Sequence, residues 1–170
     1  MISEEYREMQ EELHQNPEYG VASVSYAPFV SSIINEMGVT DVLDYGAGKG
    51  RLAKNLHVDH SVEVYQYDPA IPEWSEIPDA HEFVACIDVL EHIEPEYIDE
   101  VLDDLNRVTS RAGFFTIHTG PAVKSLSDGR NAHLIQKPME WWLPKIMERF
   151  SLKSLSVVPN GFWVLVSNEH

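Results

Sequence analysis

The spacing of apolar residues divides the chain into a helical beginning and a longer alternating part. In residues 2–15 the apolar positions recur every three to four residues, which predicts an amphipathic helix. A second helix is predicted over about Ala27–Met37, and Gly38 is a suitable residue to end it. From Val39 onward, short apolar runs of strand length alternate with helical stretches. This order is typical of a mixed α/β protein.

Apolar runs bounded by turns predict the strands of one sheet. The predicted strands are Val39–Tyr45, Val62–Tyr67, Glu82–Ile87 and Gly113–His118, and the predicted helices between and after them are Arg51–Leu56, Pro95–Val108 and Pro138–Phe150. The last two apolar runs flank Pro159-Asn160-Gly161, which predicts a β-hairpin. We therefore expect a Rossmann-like three-layer α/β sandwich whose mostly parallel sheet ends in an antiparallel hairpin. Residues 1–170 are expected to form one domain, with residues 1–20 as a helical extension that could act as a lid.

The chain is strongly acidic. It has 12 Lys and Arg residues against 28 Asp and Glu residues, a formal net charge of −16. Extended nucleic acid is not expected as a partner, because such binding depends on basic side chains that neutralise phosphates. The single cysteine, Cys86, cannot form an intrachain disulfide, and neither a leader nor a membrane-spanning apolar stretch is evident. These features predict a cytoplasmic protein without a membrane association; they indicate no oligomeric state.

Glycines cluster directly after the first predicted strand. The segment Asp44-Tyr45-Gly46-Ala47-Gly48-Lys49-Gly50 leads from that strand into a helix. Glycine lets the chain turn sharply and lets its backbone approach a ligand closely. Asp68 ends the next predicted strand, 18 residues after Gly50, where a carboxylate can bind both hydroxyls of a ribose. Together they predict a nucleoside-containing cofactor at the carboxyl edge of the sheet. A phosphate-binding P-loop is excluded, since Lys49 is followed by glycine rather than Ser or Thr.

Four segments in order carry a resemblance to a known family. The stretches VLDYGAGKGRLA, YQYDP and CIDVLEHI, followed by the C-terminal hairpin, resemble the class I S-adenosylmethionine-dependent methyltransferases over about residues 20–168. The resemblance implies that Asp44 and the backbone of Gly46, Ala47 and Gly48 hold the methionine part of the cofactor. It likewise implies that Asp68 binds the ribose and that Ile87 and Asp88 line the floor near the sulfonium.

One departure from the family pattern concerns the adenine. Family members usually have a further helix and strand between the ribose acid and the next strand, often with an acid beside the adenine. Here 19 residues separate Asp68 from Asp88, so the sheet is expected to be shortened between its second and fourth strands. On this shortened loop, Trp74, Glu76 and Asp79 are candidate substitutes for the missing adenine contact.

The segment Asp88-Val-Leu-Glu91-His92 has two interpretations. Asp-x-x-Glu is a helix capping box, although Pro95 starts the next helix so soon that such a box would cap about one turn. Alternatively, Asp88, Glu91 and His92 could bind a divalent metal (Mn, Mg, Co or Zn) together with His133. The segment resembles metal-dependent ubiquinone-biosynthesis O-methyltransferases and small-RNA 3′-terminal 2′-O-methyltransferases. Without a metal, His92 or His118 could act as the base beside Asp88.

The sequence thus favours an S-adenosylmethionine-dependent methyltransferase. Its expected reaction is O-methylation of a small molecule or of a sugar- or nucleotide-like hydroxyl, with or without metal assistance. Two alternatives stay open: a non-catalytic module that binds S-adenosylmethionine, and, less favoured, a nicotinamide-dependent oxidoreductase. The spacing of the glycine loop argues against the oxidoreductase, because a dinucleotide pyrophosphate needs a G-x-x-G element.

Overall fold

The computed structural model describes residues 1–19 and 21–168; Gly20, which ends the predicted extension, and residues 169–170 lie outside this description. Five helices and six strands are described. The helices are α1 Glu4–His14, α2 Ala22–Met37, α3 Arg51–Asn55, α4 Ile98–Val108 and α5 Met139–Met147, and the strands are β1 Asp41–Tyr45, β2 Glu63–Tyr67, β3 His81–Ile87, β4 Thr109–His118, β5 Ser151–Val158 and β6 Gly161–Ser167. Single 3-10 turns lie at Pro72–Trp74, Leu90–His92 and Pro95–Tyr97.

The strands form one sheet in the order β2-β1-β3-β4-β6-β5. Strands β2, β1, β3 and β4 run parallel, whereas β6 is antiparallel to both β4 and β5. The hairpin turns at Asn160, which adopts the left-handed φ of 67°. The predicted fold is therefore confirmed: a mostly parallel Rossmann-like sheet that ends in an antiparallel hairpin.

Each face of the sheet carries its own hydrophobic core, which makes the fold three-layered. Alternate residues of β3 serve the two cores: Cys86 belongs to the core beneath α4 and α5, and Phe83 to the core beneath α2. Helix α4 likewise has one buried face. Its buried residues recur at helical spacing, which places its acidic residues on the opposite face. Cys86 is fully buried, and burial raises the pKa of its thiol.

The segment between β2 and β3 holds a single turn, Pro72–Trp74, and no strand. The shortened sheet is confirmed, because β2 becomes an edge strand paired only with β1 within the described residues. None of the described helices is long and apolar enough to cross a membrane.

Two element boundaries differ from the predicted ones by four residues or more. Helix α2 begins at Ala22 rather than at Ala27, with Pro28 inside it. Pro28 is the seventh residue of α2, beyond the first turn, so the helix continues past a residue that cannot donate a backbone hydrogen bond. Strand β4 begins at Thr109, directly after α4, where the prediction began it at Gly113. Its pairing with β6 extends the strand to Ala112, upstream of the apolar run.

Candidate active site

A cavity of about 350 Å³ lies at the carboxyl ends of the parallel strands. Its position follows from the topology, since ligands bind where neighbouring crossovers leave a crevice beyond these strand ends. Nine of the residues predicted from the sequence line the cavity. They are Gly46, Ala47, Gly48, Asp68, Ile87, Asp88, His92, His118 and His133. The other two predicted site residues, Asp44 and Glu91, are buried outside the lining.

The glycine loop is tied to the end of β2 by its backbone. The amides of Gly46 and Ala47 donate to the Tyr67 carbonyl at 2.7 and 3.0 Å. Gly46 has a φ of 80°, and a Cβ there would overlap the Val89 side chain. The loop therefore needs a glycine at position 46 for both its conformation and its packing.

Asp68 is held at the cavity with its carboxylate oriented by the backbone. Its Oδ2 accepts a hydrogen bond from the Gly48 amide at 2.9 Å, and its Oδ1 accepts one from the Ala70 amide at 2.9 Å. Each carboxylate oxygen has a second lone pair. The arrangement can accept hydrogen bonds from the two hydroxyls of a ribose, as predicted from the position of Asp68.

Asp44 lies at the end of β1, behind the loop. It is almost completely buried, and its Oδ2 has no hydrogen-bond partner among the described residues. Burial, with a further contribution from nearby Asp68, raises the pKa of Asp44 to about 7. A buried oxygen without a donor is a site that a bound ammonium group or a water molecule could satisfy.

Asp88 follows β3 in a strained backbone conformation. Its φ is 52°, which few residues other than glycine adopt. The conformation is held by Thr116, whose hydroxyl donates to Asp88 Oδ1 at 2.7 Å and accepts from the Asp88 amide at 2.9 Å. The predicted capping box is absent, because Asp88 bonds to β4 and no side chain caps the turn Leu90–His92.

Glu91 lies beneath the cavity floor. It is fully buried; Oε1 accepts from the His118 amide at 3.2 Å, and Oε2 has no partner among the described residues. Burial, followed by the negative charge of Asp88, raises the pKa of Glu91 well above its usual value. Burial therefore disfavours the charged form of this side chain, and a cation bound beside it would offset that penalty.

Three imidazoles meet on one wall of the cavity. The ring of His133 lies 4.6 Å from that of His92 and 4.7 Å from that of His118. His133 Nδ1 is 2.8 Å from the Gly120 carbonyl and so carries the proton, which leaves Nε2 as a free acceptor. His118 Nδ1 accepts instead from the Gly120 amide at 3.2 Å. Burial lowers the pKa of His92 to about 3, so this ring is neutral.

Three of the four predicted metal ligands come together. Glu91, His92 and His133 each offer a ligand atom, and these atoms lie within 4.8 Å of one another. Asp88 is not part of this group. The set of two imidazoles and one carboxylate suits Mn, Co, Fe or Zn, and the unpartnered Glu91 Oε2 is an oxygen that a cation would satisfy.

Residues of the first helix also line the cavity; the sequence analysis expected residues 1–20 as a possible lid but named none of these helix residues. Tyr6, Gln10 and His14 of α1, and Tyr19 of the segment after it, all line the cavity. A chain of hydrogen bonds links them: Tyr19 donates to Gln10, Gln10 donates to Tyr6, and Tyr6 donates to the His92 carbonyl. The Tyr19 hydroxyl lies 3.2 Å from His92 Nδ1. The signal was present in the sequence as polar residues spaced four apart, on one face of a helix.

The three residues suggested for the adenine do not reach the cavity. The indole of Trp74 packs towards Gly50 and the Gln66 side chain. Glu76 and Asp79 are exposed, and none of the three lines the cavity. The Pro72–Trp74 turn folds back onto the end of β2, where the Trp74 carbonyl accepts from the Asp68 amide at 2.9 Å, and the adenine contact stays a prediction.

Comparison with known proteins defines the class. The family model described as a methyltransferase domain, Methyltransf_23, matches residues 3–157, and the chain belongs to this family. The predicted class, the class I S-adenosylmethionine-dependent methyltransferases, is confirmed by this match. No curated protein matches the chain in sequence.

Solved structures share the fold at low sequence identity. A Burkholderia thailandensis 1,6-didemethyltoxoflavin-N1-methyltransferase, with its substrate and S-adenosylhomocysteine bound, is 16% identical (TM-score 0.66; 96% of this chain, 88% of that chain). The magnesium protoporphyrin IX methyltransferase of Synechocystis with bound S-adenosylhomocysteine is 14% identical (TM-score 0.60; 94% and 91%). The N-methyltransferase NodS of Bradyrhizobium japonicum, also with S-adenosylhomocysteine, is 10% identical (TM-score 0.63; 97% and 99%).

Proposed function

We propose that this protein transfers the methyl group of S-adenosylmethionine to a hydroxyl of a small-molecule acceptor. The observation that carries the proposal is the meeting of two sets of groups in one cavity. The glycine loop and Asp68 are suited to a nucleoside cofactor, and the same cavity holds the imidazoles of His92, His118 and His133 beside Asp88. Structural relatives that contain S-adenosylhomocysteine support the choice of cofactor.

The reaction follows from proximity. The acceptor oxygen attacks the methyl carbon in line with the carbon–sulfur bond; that bond breaks, and its electrons stay on sulfur as S-adenosylhomocysteine forms. The acceptor proton passes to a base, for which His133 Nε2 is the free imidazole acceptor identified above. Ile87 and Asp88 form the floor that fixes the distance between the two substrates.

The cavity favours acceptors without negative charge. Lys124, the one lysine that lines it, has its ammonium 3.9 Å from the Glu18 carboxylate, and no arginine is in the lining. The overall charge of −16 repels anions as well. A neutral or cationic small molecule with an apolar body is therefore the proposed acceptor, and extended nucleic acid is not.

Metal assistance is a second candidate, favoured by the group Glu91, His92 and His133. A divalent cation held there would polarise the acceptor hydroxyl and lower its pKa. His133→Ala should weaken Mn²⁺ binding, measured by calorimetry, and leave the affinity for S-adenosylhomocysteine within about twofold. Lack of Mn²⁺ binding by the wild type at millimolar concentration would eliminate this candidate.

Turnover tests the proposal itself. The protein is incubated with S-adenosylmethionine and a panel of neutral, cationic and anionic hydroxyl compounds, and S-adenosylhomocysteine is quantified. The proposal is supported if S-adenosylhomocysteine forms only when a neutral or cationic hydroxyl compound is present. If formation instead requires an amine or a carboxylate, that group rather than a hydroxyl is the methyl acceptor. Binding of S-adenosylmethionine without turnover on any acceptor would favour the non-catalytic module. Binding of NADH in place of S-adenosylmethionine would favour the oxidoreductase.

A further inference from the structure

Helix α1 turns a polar stripe towards the cavity. Tyr6, Gln10 and His14, spaced four residues apart on α1, all line it. Residues of the neighbouring face, Met9 and Leu13, pack with Leu126 and Leu134 of the loop after β4, and Tyr6 belongs to the same apolar cluster. Gln10 and His14 are not part of that cluster, so apolar packing does not account for their place in the cavity wall.

Burial of polar groups is unfavourable unless they find hydrogen-bond partners. Gln10 has them: its amide group donates to Tyr6 at 2.7 Å, and its carbonyl accepts from Tyr19 at 3.0 Å. His14 does not. Its side chain is only 13% exposed, and its Nδ1 is buried without a partner among the described residues. This imidazole is therefore an unsatisfied group in a wall of the cofactor cavity.

The unpartnered Nδ1 is buried, and the other ring nitrogen, Nε2, indicates what His14 could bind. Nε2 is 4.0 Å from Asp68 Oδ2, too far for a hydrogen bond. A Cβ on Gly48 would lie 3.2 Å from the His14 ring, so the imidazole lies over the glycine loop. A hydroxyl group about 2.8 Å from both His14 and Asp68 could bond to each of them at once.

We propose that α1 is part of the cofactor site and that His14 hydrogen-bonds to the cofactor ribose, beside Asp68. The proposal rests on the proposed function in so far as the ligand is S-adenosylmethionine or its product. It adds a binding residue 54 positions before Asp68, on an element that could close over the ligand. Burial lowers the pKa of His14, which keeps the ring neutral beside a ligand that bears a sulfonium.

Helix α1 is attached at its start and through the segment that follows it, so it can close over a ligand without being fixed to the sheet. Its start is bound to Glu94, which accepts from the Ser3 amide at 2.7 Å and from the Ser3 hydroxyl at 2.9 Å. The segment after it is held through carbonyls, with Lys49 donating to Asn16 and Arg51 to Pro17. The ends of the helix are held by hydrogen bonds, and its apolar packing is the small cluster around Met9 and Leu126, which is separate from the two cores of the sheet. The helix can therefore separate while the sheet stays folded.

The test combines protein variants with ligand variants. S-adenosylhomocysteine and its 2′-deoxy and 3′-deoxy analogues are titrated calorimetrically into wild type, His14→Phe and Met9→Leu. His14→Phe retains an aromatic ring but removes both nitrogens. Met9→Leu serves as the control, because it alters the apolar packing of the same helix on its neighbouring face. We expect His14→Phe to weaken S-adenosylhomocysteine binding about three- to tenfold and Met9→Leu to leave it within about twofold.

The deoxy analogues separate a ribose contact from a general effect. Relative to S-adenosylhomocysteine, at least one analogue should lose less affinity for His14→Phe than for the wild type. In the variant the hydroxyl has no imidazole partner, so its removal breaks no hydrogen bond to position 14. The proposal would be overturned if His14→Phe bound S-adenosylhomocysteine as tightly as the wild type does. It would also be overturned if removal of either ribose hydroxyl cost the same affinity in both proteins. If the wild type bound none of them, the proposed cofactor would fail as well, which distinguishes the two failures.

A second measurement needs no variant. Amide hydrogen exchange of residues 4–14 in the wild type should slow by about tenfold or more when S-adenosylhomocysteine is added, because closure on a ligand protects the helix. Binding that left these amides unprotected while it protected the glycine loop would refute a role for α1.

Discussion

At the scale of single residues, the cofactor loop depends on backbone conformations that glycine adopts easily. Gly46 and Gly38 make a matched pair, because both have positive φ values, 80° and 67°. A Cβ at Gly46 would overlap Val89, whereas a Cβ at Gly38 would meet nothing within 4 Å. The two glycines thus separate backbone strain from crowding.

Gly46→Ala should therefore be the more harmful of the two alanine substitutions. We expect Gly38→Ala to lower the free energy of unfolding by about 1 kcal/mol, the strain of the left-handed backbone. Gly46→Ala should cost about 2–4 kcal/mol and weaken S-adenosylhomocysteine binding at least about tenfold. Urea denaturation and calorimetry measure both effects; equal losses for the two variants would contradict the assigned overlap.

Asp44 carries a pH dependence that its burial dictates. Its pKa is about 7 in the folded protein, against about 3.9 in an unfolded chain. Since the folded state holds the proton more tightly, this contribution to stability is fully present below about pH 4 and is lost as the pH rises through about 7.

Asp44→Asn should accordingly become more stable relative to the wild type as the pH rises. Between about pH 4 and pH 8 the difference in unfolding free energy should shift in favour of the variant by on the order of 2–4 kcal/mol. Denaturation at several pH values measures the shift. Glu96→Gln, an exposed carboxylate on the turn before α4, serves as the control and should show no comparable trend.

At the scale of elements, the start of α1 is held by one carboxylate, that of Glu94. Ser3 caps the helix by accepting from the Tyr6 amide at 3.2 Å, and Glu94 in turn binds Ser3 through both carboxylate oxygens. Caps contribute about 1 kcal/mol to helix stability. The interaction joins two segments 91 residues apart.

Glu94→Gln should therefore loosen α1 without unfolding the sheet. A glutamine cannot accept both hydrogen bonds from Ser3 through its amide, so amide exchange over residues 4–14 should accelerate severalfold. Exchange in β1, β3 and β4 should change little, and mass spectrometry of peptides resolves the two regions. Uniform acceleration across the protein would instead indicate that Glu94 stabilises the whole fold.

Most elements could be predicted because their periodicity is local. The alternation of apolar residues and the spacing along α4 both depend on neighbours in sequence. The path of the Pro72–Trp74 turn could not be predicted, since it depends on a hydrogen bond to Asp68 that forms only when β2 is in place. The extension was expected as a possible lid, but the α1 residues that face the cavity were not named, because their partners are distant in sequence.

At the scale of the whole molecule, charge is the dominant feature. A net charge of −16 on 170 residues means that acidic groups repel one another in the folded protein. Several basic side chains are already used in surface ion pairs on α4 and α5, such as Lys145 with Asp99 at 3.0 Å and Arg149 with Asp103 at 2.6 Å. Exposed pairs of this kind contribute little to stability.

Salt should therefore stabilise this protein. We expect the Tm to rise by a few degrees between about 10 mM and about 300 mM NaCl, because screening weakens the repulsion more than it weakens the few ion pairs. Scanning calorimetry at pH 8 measures the change, with an equal osmolarity of sucrose as the comparison. A Tm that fell with added salt would mean that the ion pairs outweigh the repulsion.

The sequence alone determined the order of strands and helices, the glycine loop, Asp68 at the end of β2 and the general position of the Asp88–His92 segment. These depend on local periodicity and on the rule that parallel strands present their carboxyl ends together. Only the tertiary structure decided which side chains meet: that Asp88 lies outside the group of Glu91, His92 and His133, that Asp88 bonds to Thr116, and that His14 lies beside Asp68. The physical reason is that contact between distant residues depends on how elements pack, and no local pattern records it.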